Sequence, residues 1–126
     1  MPATSVAGNV ISGQIIKAKT ASYTVTAAES GVFFTNRGGT VAITFTLPAV
    51  TGLPIGTFFE FYGSNAYGFT VASNGSLDNI VALNDAAADS LTAATTSLII
   101  GSWCKVIWDG TAWLSIRGAG NTFAVA

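Results

Sequence analysis

The sequence of 126 residues contains no histidine. Histidine is the commonest general base and the usual partner of a serine or cysteine nucleophile, so its absence excludes the familiar catalytic triads. Zinc sites built on cysteine and histidine are excluded for the same reason. The chain also lacks a glycine-rich phosphate loop that opens a helix and a Walker-type Lys-Ser/Thr pair. We therefore expect a protein that is not an enzyme and holds no cofactor.

Cysteine is almost absent as well. The single cysteine, Cys104, excludes an internal disulfide framework. It lies within the apolar stretch from Trp103 to Trp108, where we expect a small buried core residue on a strand.

Charge is scarce: 9% of the residues are charged, against about 25% in an ordinary soluble domain. Nucleic-acid binding needs clustered positive charge, and the five basic residues are scattered along the chain. We expect no nucleic-acid partner. A chain with so little charge repels its own copies only weakly, so we expect much of its surface to be covered in a complex.

Long apolar runs are missing too. No stretch approaches the roughly 18 consecutive apolar residues of a membrane-spanning helix. The first residues, Met1 to Ser5, have neither the basic region nor the apolar region of a secretory signal. The sequence therefore predicts no membrane partner.

Short alternating segments between glycine-rich turns fill the sequence. Residues Val41 to Leu47 place every second, apolar side chain on one face, and Pro48 ends the segment. Comparable segments recur about every 8–12 residues, a spacing typical of sandwiches and barrels. We predict an all-β fold, a small antiparallel β-sandwich or barrel, with residues 21–126 forming a single domain.

Two segments between the predicted strands carry local signals of their own. Asp109-Gly110 is a strong hairpin signal and predicts a two-residue type I′ turn between strands 103–108 and 111–117. Residues Asn84 to Ser90 contain three consecutive alanines behind an Asn/Asp pair. This segment is open between a single helical turn and a surface loop.

Residues 1–20 are predicted to form an N-terminal arm or extended strand, with a short strand near residues 14–19. Large apolar groups are few there, but those present are mostly β-branched, unlike the composition of a disordered tail. Such a segment can attach by adding a strand to the edge of a neighbour's sheet. The candidate attachment residues are Val6, Val10, Ile11, Ile15 and Ile16.

Aromatic and acidic side chains are the remaining candidates for binding. Trp103, Trp108 and Trp113 recur at intervals of five, as core or interface residues or as a platform for sugar rings. The aromatic residues near turns that could meet a ligand or partner are Tyr62, Tyr67, Trp108 and Trp113. A catalytic pair among the six carboxylates stays open, as does a calcium site near Asp78, Asp85 and Asp89.

Two stretches carry a resemblance to a known group of proteins. One runs from Tyr23 to Pro48 and begins YTVTAAESG; the other is IGSWCKVIWDGTAW, from Ile100 to Trp113. Together they resemble a β-module of tailed-bacteriophage virion surfaces, found in head decoration proteins, head fibres and tail fibres. The resemblance covers roughly residues 20–117.

The resemblance implies a virion structural protein exposed on the phage particle. It adds no catalytic residue. Modules of this kind are usually homo-oligomers, often trimers. A module of this length with a leading arm is more similar to a head decoration (cement) protein, which binds the major capsid protein and stabilises the capsid. The alternative is a tail or head-fibre module that binds a receptor or carbohydrate.

Overall fold

The computed structural model describes residues 13–93, 99–117 and 123–126. Within these ranges the chain forms twelve β-strands and one 3-10 turn at Ala27–Glu29, so no described helix is long and apolar enough to cross a membrane. The strands are β1 Ile16–Ala18, β2 Tyr23–Thr24, β3 Phe33–Thr35, β4 Ile43–Thr46, β5 Phe58–Tyr62, β6 Phe69–Ala72, β7 Ile80–Ala82, β8 Asp85–Ala88, β9 Ser90–Ala93, β10 Trp103–Trp108, β11 Trp113–Arg117 and β12 Ala124–Val125.

The strands make two mixed sheets that pack face to face. The larger sheet has seven strands in the order β1-β3-β5-β10-β11-β7-β8, and the smaller has five in the order β12-β9-β6-β4-β2. Buried side chains from both sheets form one hydrophobic cluster between them. The predicted all-β sandwich is confirmed.

The first six strands divide between the two sheets, and within each sheet they pair parallel. The chain alternates between the sheets, so that β1, β3 and β5 run parallel in the larger sheet. Likewise β2, β4 and β6 run parallel in the smaller sheet. The expectation of purely antiparallel pairing was wrong here, because each turn carries the chain across to the opposite sheet. A hairpin would have returned it beside the strand it had just left.

The second half of the chain closes both sheets mainly with antiparallel pairs. Strand β10 lies between β5 and β11, and β9 lies between β6 and β12. Strand β7 is the exception, because it pairs parallel with β11 before turning back into β8. The mixed sheets thus come from a parallel first half and a largely antiparallel second half.

Aromatic rings fill the space between the sheets. The ring centroids of Phe45, from the smaller sheet, and Phe61, from the larger, are 5.0 Å apart. Phe34 lies 5.6 Å from each of these two rings, nearly parallel to Phe61. Cys104 is buried beside this layer as predicted, and burial raises the pKa of its thiol. The alternating pattern correctly indicated Ile43, Phe45 and Leu47 as core residues, whereas Val41 lies before β4 and is exposed.

The connections at Asp109-Gly110 and at Asn84–Ser90 differ from expectation. Trp108 and Trp113 are directly opposite each other, so the β10–β11 connection has four residues and not two. Its Asp109 carboxylate accepts hydrogen bonds from the N–H groups of Thr111 and Ala112, at 2.8 and 2.7 Å. The hairpin is confirmed, but a type I′ turn at Asp109-Gly110 was wrong, because this local bonding stabilises a wider loop.

The tight hairpin instead joins β7 and β8. Ala82 pairs with Asp85, and the two residues between them, Leu83 and Asn84, both have positive φ, as a type I′ turn requires. The alanines that follow lie in strand β8, so both the helical turn and the surface loop were wrong. Pairing with β7 overrides the weak local preference of alanine for helix.

Directly after β5, the backbone of Gly63 lies so close to the segment before β10 that no side chain fits between them. Gly63 exchanges backbone hydrogen bonds with Ser102 and Gly101, both 2.8 Å long. A β-carbon on Gly63 would lie 2.7 Å from the Ser102 hydroxyl and 2.8 Å from the Ile99 carbonyl oxygen.

We expect Gly63→Ala to destabilise the fold by about 1–3 kcal/mol, because overpacking forces backbone shifts. Chemical denaturation followed by tryptophan fluorescence measures the change. Gly13→Ala is the control, since a β-carbon at Gly13 meets nothing within 4 Å. Equal stability of the two variants would contradict this description of the β5–β10 junction.

Candidate interaction surfaces

Among the charged side chains that the structure describes, Glu29 alone is buried, with 7% of its surface exposed. Its carboxylate accepts hydrogen bonds from the Lys17 ammonium at 2.7 Å and from the Tyr23 hydroxyl at 2.8 and 2.9 Å. The Thr26 N–H and hydroxyl each donate to it at 3.0 Å. Burial pushes the pKa of Glu29 up, but these donors outweigh it and lower the pKa to about 2.

This cluster fastens the first strands to the domain. Lys17 belongs to β1 and Tyr23 to β2, while Glu29 follows in the 3-10 turn. The Lys19 ammonium lies 3.7 Å from the centre of the Tyr23 ring, which adds a cation–π contact. The strand predicted near residues 14–19 is therefore β1, an edge strand of the larger sheet.

Of the five predicted attachment residues, Val6, Val10 and Ile11 lie outside the described residues. Ile15 and Ile16 are described, and both are exposed, with 67% of the Ile16 surface accessible. Strand β1 pairs with β3 on one side, and within the described ranges no strand lies along its other side. The structure thus brings two of the predicted residues to an open sheet edge.

The backbone groups at this edge can be assigned by alternation. The Ile15 carbonyl accepts from the Phe33 N–H, and the Lys19 N–H donates to the Thr35 carbonyl, both at 2.9 Å. Residues 15, 17 and 19 therefore direct their backbone groups toward β3. Ile16 and Ala18 direct theirs away from it, toward the open edge. This edge can accept another strand.

The four candidate aromatic residues divide into two pairs. Trp108 and Trp113 pack against each other with ring centroids 5.4 Å apart, and they are 6% and 0% exposed. Their assignment as ligand-facing aromatics was wrong, because the four-residue turn places both on the core side. Tyr62 is half-buried beside Phe33, with ring centroids 5.7 Å apart, and Tyr67 is 50% exposed.

The acidic residues singled out for calcium are only partly brought together. The Asp78 N–H donates to the Asp89 carboxylate at 3.0 Å. A hydrogen bond between the two side chains, with the charge of Asp89, raises the pKa of Asp78. No group of three or more acidic, cysteine or histidine side chains within the described ranges is placed to hold a metal ion.

The outer face of the larger sheet is a surface that sequence reasoning missed. Its outward side chains are largely apolar, and we call this surface the outer face; it is formed by Ile16, Phe33, Phe58, Glu60, Tyr62, Val81, Trp103, Lys105, Ile107, Leu114 and Ile116. A solvated antiparallel sheet usually carries polar residues on such a face. The signal in the sequence is that β5, β10 and β11 have apolar residues at both odd and even positions.

The Glu29 cluster predicts a loss of stability in acid. The folded-state pKa is about 2 against an ordinary value of 4.5, so the stabilisation is complete above about pH 4.5 and is lost as the pH falls toward 2. The difference between these two pKa values corresponds to a loss of about 3 kcal/mol. Unfolding measured from pH 7 to pH 2 tests this.

Glu29→Gln is expected to be less stable than the natural protein at pH 7, with a shallower dependence on pH. The difference between the two curves isolates Glu29 from Asp78 and Asp109, which titrate in both proteins. Parallel curves would show that the cluster does not hold the carboxylate in its charged form.

The described surfaces offer two places for contact, the open edge of β1 and the outer face. Strand β1 provides free backbone groups, whereas the outer face provides apolar side chains. Comparison of the sequence with protein-family models and with curated proteins gave no match.

Proposed function

We infer that this protein is a non-enzymatic structural module of a tailed-phage virion, a head decoration protein that binds the major capsid protein and stabilises the shell. The observation that carries the proposal is the open edge of β1, which continues directly from the β-branched N-terminal segment. The resemblance of residues 20–117 to virion surface modules supports the location on the phage particle.

Attachment would proceed by strand addition. The outward backbone groups of Ile16 and Ala18 pair with a strand of the capsid protein, and the apolar side chains of residues 1–16 fill the pockets around it. Such a protein stabilises by mass action, because it binds the assembled shell and not the separated subunits. The low net charge of −1 suits a module whose surface is covered by neighbours.

The Glu29 cluster supports this assignment on mechanical grounds. A strand that transmits load between a capsid and a decoration domain has to be fixed to that domain. The ion pair between Lys17 and Glu29 is buried at the Glu29 end and joined by the Tyr23 hydroxyl. Pulling β1 away would leave a buried carboxylate without its main partner, which is costly.

The alternative is a receptor- or carbohydrate-binding module of a fibre. Because Trp108 and Trp113 lie in the core, the aromatic residues left to contact a ligand in such a module are Tyr67 and Tyr62. A glycan array and a tryptophan fluorescence titration separate the two functions. A reproducible sugar-induced shift that Tyr67→Ala abolishes would favour the alternative and count against decoration.

The attachment proposal predicts that deletion of residues 1–13 leaves a folded domain that no longer joins the particle. The deletion stops before Gln14 and β1, so every described strand is retained. Circular dichroism is expected to change little, while co-sedimentation with capsids is lost. Undiminished capsid binding would contradict the proposal, and loss of the fold would mean that the segment is an internal part of the domain.

A single substitution tests strand addition more sharply. Ala18→Pro removes an N–H that faces the open edge and leaves the bonds to β3 in place, and proline is tolerated on edge strands. We expect capsid binding at least ten times weaker with the fold retained. Ala18→Val, which keeps the N–H, is the matched control. Equal binding by the two variants would rule out pairing at this edge.

A further inference from the structure

The strand registers align the outward side chains of the larger sheet in three rows. The central row is Ile16, Phe33, Glu60, Lys105 and Ile116, on five neighbouring strands. On one side lie Phe58, Ile107, Leu114 and Val81. On the other lie Ala18, Thr35, Tyr62 and Trp103. Side chains in directly opposite positions share a face, so these rows form one continuous surface.

This outer face leaves much apolar surface uncovered. Ile116 is 52% exposed, and Leu114 and Val81 beside it are each more than a third exposed. Five strands at about 4.8 Å spacing, and three rows about 7 Å apart, give a face of several hundred Å² that is largely apolar around the central Glu60 and Lys105. Extended exposed apolar surface on soluble proteins marks interaction sites.

The two charged residues at the centre of the outer face could pair with the same two residues of a second copy of this chain. Glu60 and Lys105 lie directly opposite each other on β5 and β10. The Glu60 carboxylate accepts from the Trp103 indole N–H at 3.0 Å and from the Gln14 amide. The Lys105 ammonium lies 4.7 Å from the centre of the Phe58 ring. No ion pair joins the Lys105 ammonium to a carboxylate in the described part of the chain.

We propose that copies of this chain associate through the outer face, with Lys105 of one copy paired with Glu60 of the next. A second apolar face would remove water from both charges, so each would need a partner of opposite sign. A face that carries one acidic and one basic residue side by side supplies both to its own copy, as self-complementary interfaces do. The inference deepens the proposed function, since it assigns the surface by which the decoration module forms its homo-oligomer.

The apolar part of the contact is tested with one added charge. Ile116→Lys places a charge in the patch, and Val41→Lys adds the same charge at a residue that is 56% exposed in another part of the molecule. In sedimentation velocity over a concentration series, we expect the natural protein and Val41→Lys to associate. Ile116→Lys should associate at least about ten times more weakly.

The charge pairing is tested by exchange between copies. Glu60→Lys and Lys105→Glu are each expected to be monomeric alone, because like charges then face each other. They are expected to associate when mixed, and the double variant should also associate. Association that returns on mixing cannot come from a contact within one chain. Circular dichroism checks that each variant is folded.

Three results would overturn the inference. The natural protein could be monomeric at every concentration, or Ile116→Lys could associate as strongly as Val41→Lys, or the mixed charge variants could stay monomeric. Association that appears only after deletion of residues 1–13 would also overturn it, because this chain's own N-terminal segment would then be the partner of the face.

Capsid co-sedimentation of the same variants separates this inference from the proposed function. Loss of capsid binding by the deletion variant with intact self-association is the result that both proposals predict. A natural protein that associates through the outer face but never binds capsids would refute decoration alone. Capsid binding by a protein that is monomeric throughout would refute the outer-face contact alone.

Discussion

The packing of phenylalanine rings between the two sheets is the interaction on which the rest of this structure depends. Phe45 and Phe61 meet across the layers at 5.0 Å, and Phe34 contacts both. Offset and tilted ring pairs of this kind add about 0.5–1.5 kcal/mol each beyond the area they bury. Because the strands that carry these rings are only three to five residues long, few backbone bonds hold each strand. The shared core is what keeps the two sheets in register.

The same strands serve two surfaces at once. In β5, Phe59 and Phe61 point into the core, while Phe58, Glu60 and Tyr62 point outward. Strand β10 repeats this division, with Cys104 and Val106 inside and Trp103, Lys105 and Ile107 outside. A strand with large apolar residues on both faces is ordinary in the middle of a protein and unusual at its surface. This two-sided character, more than any single residue, favours a module that works in contact with neighbours.

Charge is used sparingly, and its placement is informative. The ion pair between the Lys17 ammonium and the buried Glu29 carboxylate joins the edge strand β1 to the domain. Glu60 and Lys105 occupy the centre of an otherwise apolar face. A chain with only eleven charged residues thus places four of them where strand attachment and face contact would need them. Both proposed surfaces include Ile16, but attachment uses the outward backbone groups of β1, whereas the contact between copies is centred on Glu60 and Lys105, so separate variants can test them.

The sequence by itself indicated the all-β fold, the alternating strands β4, β10 and β11, core residues such as Phe45 and Cys104, and the two candidate attachment residues that lie at the β1 edge. Alternation is a local property with a period of two, and it survives in almost any sheet. Tertiary structure decided which strands are neighbours, because the direction of each turn depends on burial across the whole domain. For that reason the sequence did not predict that the first six strands pair parallel within their sheets, or that a strand lies at Asp85–Ala88. It also did not predict that Trp108 and Trp113 both point inward. The outer face escaped it too, since a row of side chains on five strands exists only after long-range pairing has set the register.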